Sequence, residues 1–314
     1  MKFGIMGPGN IARRFADAAG KVAGVTLSGV ASRDLEKAKA FATEFGIENA
    51  YGSYDELLAS DVDAVYISTI NTTHFDLAKK SILAGKAVMV EKPMCMSKAE
   101  TAELFDLAKE KNVLLMEGLW TLFLPCIKKA KQWIDEGRIG TVKYMDSAFS
   151  FYCPVIPDHR LFDKEKGGGG ILDVGIYTFC FSIFMMGQNP KEFYGRFHKG
   201  ETGVDEIGSA ILSFDNGVNA TCVCGIQGNV DGTAHIYGEK GKIELPEFWR
   251  CVKATCFDLL GDVKDTETDS QENGFVYEIA AFAKAFNEGR KTVESATPEM
   301  SIECARIMEE LRAQ

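Results

Sequence analysis

Short apolar runs alternate with amphipathic stretches from residue 1 to about 120. Runs near 2 to 7, 24 to 31, 63 to 69, 86 to 91 and 113 to 117 read as strands, and stretches near 10 to 20, 34 to 45, 72 to 85 and 97 to 111 carry helical spacing. Strands covered on both faces lose polar alternation, so this pattern predicts a doubly wound parallel sheet. After a helix at 122 to 137 the pattern changes. Longer strands are expected at 139 to 151, 191 to 199, 205 to 214, 218 to 227, 232 to 238 and 241 to 246, with turns such as Asp215-Asn216-Gly217 that favour antiparallel pairing. A helix at 170 to 186 interrupts them, and helices at 275 to 288 and 298 to 313 finish the chain. The expected architecture is α/β: an N-terminal doubly wound domain over 1–121 and a C-terminal α+β domain with a mostly antiparallel open sheet over 122–291.

Composition narrows the function classes. The chain has 314 residues, 46% of them hydrophobic, and a formal charge of −10. A nucleic-acid partner would require a clustered basic face, so none is expected. No run approaches the ~18 apolar residues of a transmembrane helix, and the glycine-broken N-terminus does not suit a signal peptide. The nine cysteines are scattered and odd in number, which points to reduced thiols in a cytoplasmic protein. Cys222 and Cys224 share a strand face without further ligands nearby, and no metal site is expected.

The segment Gly7-Pro8-Gly9-Asn10-Ile11-Ala12 follows the first strand and opens a helix. In that context Gly7 permits a tight turn, Gly9 leaves room for a pyrophosphate, and Ala12 lets helix and strand pack closely. The second strand ends in Ser32-Arg33-Asp34. A hydroxyl and a guanidinium suit a 2′-phosphate, which favours NADP over NAD, while Asp34 fits the N-cap of the next helix.

Glu91-Lys92-Pro93 stands where the strand at 86 to 91 leaves the sheet, the edge at which open α/β sheets bind ligands. Farther on, Gly167-Gly168-Gly169-Gly170 precedes a helix that carries Asp173 and Tyr177 four residues apart. The glycines are expected to let backbone approach a ligand, and the spacing to set carboxylate and phenol on one helix face. His159 and Arg160 sit in a polar loop, and Phe149 and Phe151 alternate along a strand as core or pocket wall.

Taken together, the N-terminal fingerprint, Thr69-Ile70-Asn71-Thr72-Thr73-His74, Glu91-Lys92-Pro93 and Gly168-Gly169-Gly170-Ile171-Leu172-Asp173-Val174-Gly175-Ile176-Tyr177 resemble the Gfo/Idh/MocA oxidoreductases over nearly the whole chain. Met116-Glu117-Gly118-Leu119-Trp120-Thr121 and the Asp-x-Gly-x-Tyr form are similar to the branch of dimeric dihydrodiol dehydrogenases and NADP-dependent xylose or glucose dehydrogenases. The resemblance implies that Lys92, Asp173 and Tyr177 are catalytic. It places Asn71, His74 and Glu91, with Thr69 of the same motif, along the cofactor, and Trp120 and Arg160 against cofactor or substrate, with Phe151 beside them. It also implies a last segment, 292–314, that returns to the nucleotide domain, while the broad second-half sheet, with one face left over after its helices pack, predicts a homodimer or larger homo-oligomer. That branch often has an arginine where this chain has Leu122.

The implied chemistry is hydride transfer between NADP and a carbinol or carbonyl carbon of a small sugar, polyol or dihydrodiol-type substrate. A phenol with pKa ~10 is a poor base near neutral pH, and a cation within a few Å favours its phenolate. Lys92 supplies that cation and Tyr177 the base. Asp173 orients either the substrate or Lys92. Two alternatives are a catalytically silent NAD(P)-binding regulator and an NAD-dependent lyase or epimerase that oxidises transiently.

Overall fold

The early apolar runs become strands β1 (Lys2–Met6), β2 (Thr26–Ala31), β3 (Asn49–Tyr51), β4 (Ala64–Ile67), β5 (Ala87–Glu91) and β6 (Leu115–Gly118) in the computed structural model, which describes residues 1–156 and 158–314. Between them run helices α1 (Asn10–Ala19), α2 (Leu35–Phe45), α3 (Tyr54–Ala59), α4 (His74–Leu83) and α5 (Lys98–Glu110). The strands pair in parallel in the order β3-β2-β1-β4-β5-β6. β4 and β5 are buried along their whole length, which explains their unbroken apolar runs. Side-chain caps start several helices as expected: Asp34 Oδ1 accepts from the Glu36 and Lys37 amides at 3.1 and 3.3 Å, and Ser97 Oγ accepts from Glu100. The three-residue β3 and the short α3 carried no pattern of their own and escaped the sequence reading.

The second half begins with α6 (Pro125–Asp135) and continues through β7 (Val142–Ser150), α7 (Ile176–Met186), β8 (Glu192–Lys199), β9 (Asp205–Ser213), β10 (Asn219–Gly225), β11 (Ala234–Gly238), β12 (Gly241–Leu245), β13 (Lys253–Asp258) and β14 (Val263–Thr268). Their sheet has the order β14-β13-β12-β11-β7-β10-β9-β8, in which only the β7–β10 pair is parallel. β13 and β14 extend the sheet beyond the strands expected from sequence. The α/β class, with one parallel and one mostly antiparallel sheet, is as the sequence predicts.

Helices α8 (Phe275–Asn287) and α9 (Pro298–Ala313) close the chain. One unit holds residues 1–120 and 273–302, and the other 121–272 and 303–314. Residues 273–291 therefore lie with the parallel sheet rather than with the second domain. Phe282 meets the Phe3 ring at 5.6 Å, and Asn273 Nδ2 donates to the Arg14 carbonyl at 2.8 Å. The expected return of 292–314 is divided, because α9 crosses from the first unit into the second after Ile302.

Within the second unit α7 is the core helix. Nearly all its side chains are buried, and Ser182 Oγ lies 3.5 Å from Cys222 Sγ on β10. The run Lys164–Met186 is long and apolar enough to cross a membrane by composition, yet most of it is buried inside the protein. Tyr144, Tyr194, Ile211 and Tyr237 of this sheet are exposed, and the Tyr144 and Tyr237 rings stack at 5.9 Å.

Candidate active site

In the first unit the candidate groups follow the carboxyl ends of four neighbouring strands. Gly7 follows β1, Ser32 follows β2, Thr69 follows β4 and Lys92 follows β5. Strands lie about 4.8 Å apart, so these four points span roughly 14 Å across the place where the strand order reverses.

Gly7 has φ +94°, and a Cβ there would lie 2.9 Å from Thr69 Cγ2. The turn requires glycine on both counts. Gly9 is different: a Cβ would meet nothing within 4 Å. That open space lies at the N-terminus of α1, whose Asn10, Ile11 and Ala12 amides have no side-chain cap. Unsatisfied amides beside an open glycine form a cradle that fits a pyrophosphate. Ala12 is fully buried, as helix–strand packing demands.

At the end of β2, Ser32 Oγ accepts from the Asp34 amide at 3.1 Å. The Asp34 carboxylate is engaged at the α2 N-cap, so it does not compete with Arg33. Arg33 is exposed, and among the described residues no carboxylate pairs with it. This edge fits a phosphorylated ribose.

Three residues expected along the ligand have buried side chains with protein partners. His74 is fully buried, with Nδ1 2.9 Å from the Pro93 carbonyl and Nε2 3.2 Å from that of Thr69, and burial pushes its pKa down. Its ring braces two loops. Glu91 is buried as well: it accepts from the Tyr66 hydroxyl and from the Lys92 amide, and burial pushes its pKa up. Trp120 is 5% exposed and stacks on Phe275 at 5.4 Å, with the Arg14 guanidinium 5.4 Å from the Trp120 ring. In each case long-range packing takes up the side chain. Thr69 and Asn71, by contrast, are half-buried on the turn after β4, where Thr73 Oγ1 donates to Thr69 Oγ1 at 2.7 Å. Lys92 is half-buried in a run whose neighbours Glu91, Pro93 and Met94 are all buried.

In the second unit, Ile171–Gly175 form a wide π-helical turn that leads into α7. Asp173 lies in that turn and Tyr177 in the first turn of α7, so the α-helical face expected from their spacing is replaced by a junction with different rotation. Two of the four glycines also serve another purpose. A Cβ on Gly168 would stand 2.6 Å from the Leu161 carbonyl oxygen, and one on Gly170 would stand 2.8 Å from Gly225 Cα. The room is filled by the protein's own backbone rather than left for a ligand. Asp205 completes this packing by accepting from the Ile171 amide at 2.5 Å, and burial pushes its carboxyl up to about 6.

The Tyr177 ring faces Phe149 at 5.5 Å, and Phe149 stacks on Trp249 at 3.9 Å with the planes 7° apart. Phe151 packs on Leu161, Phe162, Val204 and Ile226. Trp249 was not visible in the sequence as a site residue. Its signal is indirect: a Cβ on Gly232 would overlap the indole, so glycine there makes room for it. Arg160 Nη1 donates to Asp173 Oδ1 at 2.9 Å. Leu122, where the related branch often has arginine, is fully buried.

Residues 1–119 match the Gfo/Idh/MocA oxidoreductase family with NAD-binding Rossmann fold, and residues 127–244 match the Gfo/Idh/MocA C-terminal domain. A trans-1,2-dihydrobenzene-1,2-diol dehydrogenase of Mus musculus is 35% identical over 255 residues, covering 79% of this chain and 75% of that protein. The Sus scrofa protein of the same name is 31% identical over 294 residues, covering 90% and 87%. Among solved structures, a tyrosine-to-phenylalanine mutant of a 3-ketoreductase from Actinomadura kijaniata, in complex with TDP-benzene and NADP, superposes with a TM-score of 0.89. It is 25% identical, over 100% of this chain and 97% of that one. Aldose-aldose oxidoreductase from Caulobacter crescentus, complexed with glycerol, shares the fold with a TM-score of 0.88 and 22% identity over 99% and 96% of the chains. The chain belongs to the Gfo/Idh/MocA oxidoreductase family.

Proposed function

We propose that this enzyme transfers a hydride between NADP(H) and the carbinol or carbonyl carbon of a sugar, polyol or dihydrodiol-type substrate. The observation that carries the reading is the row of groups along the carboxyl edge of the first sheet, from unpaired Arg33 through the open Gly9 cradle to half-buried Lys92. The α1 amides would hold the pyrophosphate, Ser32 and Arg33 the 2′-phosphate, and Thr69, Asn71 and Lys92 the nicotinamide half. The names of the dihydrodiol dehydrogenases and the NADP complex of the ketoreductase support the same substrate class and cofactor.

When bound, the nicotinamide supplies or accepts the hydride. The protein's task is the proton. In the oxidation direction Tyr177 Oη takes the proton of the substrate hydroxyl, and in reduction it returns a proton to the carbonyl oxygen. In this reading Lys92 would supply the cation that favours the phenolate. Asp173 fixes Arg160 through their ion pair, and Arg160 and Phe151 face the substrate. The second domain is in this reading the substrate-binding and oligomerisation domain of a cytoplasmic homodimer, joined through the exposed sheet face that carries Tyr144, Ile211 and Tyr237. Light scattering that finds only monomer at micromolar concentration would remove the dimer.

The deciding experiment is a panel of sugars, polyols and trans-dihydrodiols with NADP⁺, followed at the NADPH absorbance band. Net NADPH formation is expected on at least one class. Tight NADP binding with no turnover on any substrate would favour a silent regulator, and turnover without net NADPH would favour transient oxidation.

A further inference from the structure

The turn that carries Lys92 is held at three consecutive residues by three buried side chains from separate elements. Glu91 Oε2 accepts from the Lys92 amide at 3.3 Å. His74, at the start of α4, meets the Pro93 carbonyl at 2.9 Å. Glu117 Oε1, on β6, accepts from the Met94 amide at 2.7 Å. Parallel pairing of β5 and β6 sets Glu117 opposite Val90, which puts its carboxyl within reach of the chain just beyond Glu91.

Burying a carboxyl is costly, and the core of a parallel sheet is an adverse place for one. Glu117 is 2% exposed, and burial pushes its pKa up to about 7 against the lowering effect of the Met94 amide, while its Oε2 is buried without a hydrogen-bond partner among the described residues. A leucine or valine would suit that strand position better unless the acceptor oxygen is needed. The Met94 amide is its hydrogen-bonded partner, and Met94 itself is 1% exposed, so no solvent can replace the lost acceptor.

We infer that Glu117 is a positioning residue for Lys92, acting through the Met94 amide, with His74 and Glu91 completing a clamp on the turn. The inference rests on the reading of Lys92 as a group that acts on the reacting oxygen. Lys92 is the one residue of the Glu91–Met94 run with a partly open side chain, so the clamp fixes the backbone from which its ammonium projects. Small displacements of such a group are expensive, because a shift of ~1 Å can cost about 10²-fold in rate.

The test compares Glu117→Leu, which removes the acceptor while filling the space, with Glu117→Gln, which keeps an acceptor oxygen. On the substrate found by the panel, Glu117→Leu is expected to lower kcat by about 10–100-fold and to raise the NADPH dissociation constant no more than Lys92→Met does. Glu117→Gln is expected to stay within about threefold. His74→Phe removes the adjacent contact and supplies an independent arm should Glu117→Leu fold poorly; it should lower kcat in the same way. In a Lys92→Met background neither change should lower kcat further, since both act through Lys92. Unchanged kcat in folded Glu117→Leu, or equal loss in Glu117→Gln, overturns the clamp. If Lys92→Met itself keeps full turnover, the assignment of Lys92 fails instead, and the two failures are distinct.

Discussion

Arg160 Nη1 donates to Asp173 Oδ1 at 2.9 Å, joining the loop after β7 to the π-helical turn that precedes α7. The Arg160 side chain is about half exposed and that of Asp173 13% exposed, so the pair presents a guanidinium to solvent and keeps its carboxylate behind. The carboxylate is thereby tied to the guanidinium of the loop.

Asp173→Asn should therefore act on substrate affinity more than on proton transfer. The expected result is a raised KM, with a smaller fall in kcat than Tyr177→Phe produces. A double-mutant cycle with Arg160→Ala should show a coupling of about 0.2–1 kcal/mol in kcat/KM, the range for an exposed ion pair. Strict additivity would mean that the pair has no shared role.

Tyr177→Phe removes only the hydroxyl and is expected to lower turnover by about 10²–10⁴, the usual worth of general acid–base catalysis. NADP affinity should be nearly unchanged, which a fluorescence titration with NADPH can check. Lys92→Met should also suppress turnover, and its residual alcohol oxidation should need a higher pH, because the phenol loses the cation that favours its ionised form. Near-normal turnover in Tyr177→Phe would move the proton to another group.

Arg33→Ala should weaken NADP(H) binding by about 1.5–3 kcal/mol, the worth of a charge-assisted hydrogen bond, and NAD(H) binding far less. Equal losses for the two nucleotides, measured as dissociation constants, would refute the assignment of Arg33 to the 2′-phosphate.

Two glycines should respond in opposite ways. At Gly9, φ −91° and open surroundings let alanine fold without strain, so Gly9→Ala should leave stability unchanged while raising the NADP dissociation constant about tenfold or more. Gly170→Ala forces a methyl group to within 2.8 Å of Gly225 Cα and should lower stability by about 1–3 kcal/mol without changing nucleotide affinity. Denaturant melts and nucleotide titrations of both variants separate the two effects.

Asp205 gives a pH dependence of known sign. Burial raises its folded pKa to about 6, above the ordinary carboxylate value of about 3.9. Between these values the unfolded chain loses its proton first, so the unfolded state binds fewer protons and stability falls as pH rises. Relative to Asp205→Asn, which keeps an acceptor for the Ile171 amide, the wild type should lose on the order of 3 kcal/mol between about pH 4 and 6 and change little above that. Parallel stability curves for the two proteins would contradict this.

The alternation of strands and helices, the Gly7–Ala12 fingerprint, the Asp34 cap and the place of Lys92 at the end of a strand were legible in the sequence. Each depends on local rules: apolar runs mark covered strands, a tight turn needs positive φ, and a short polar side chain satisfies the first amides of a helix. Other features depend on residues far apart in the chain, and no local pattern encodes them. Gly170 is small because Gly225 lies against it, Trp249 joins the Tyr177 neighbourhood by stacking on Phe149, and Arg160 claims Asp173. His74, Glu91 and Trp120 carry residue types suited to a ligand, yet the tertiary structure buries all three against protein partners. The sequence by itself determined which groups stand at the edge of the first sheet; only packing decided which of them stay open, because burial is a property of neighbours rather than of the residue.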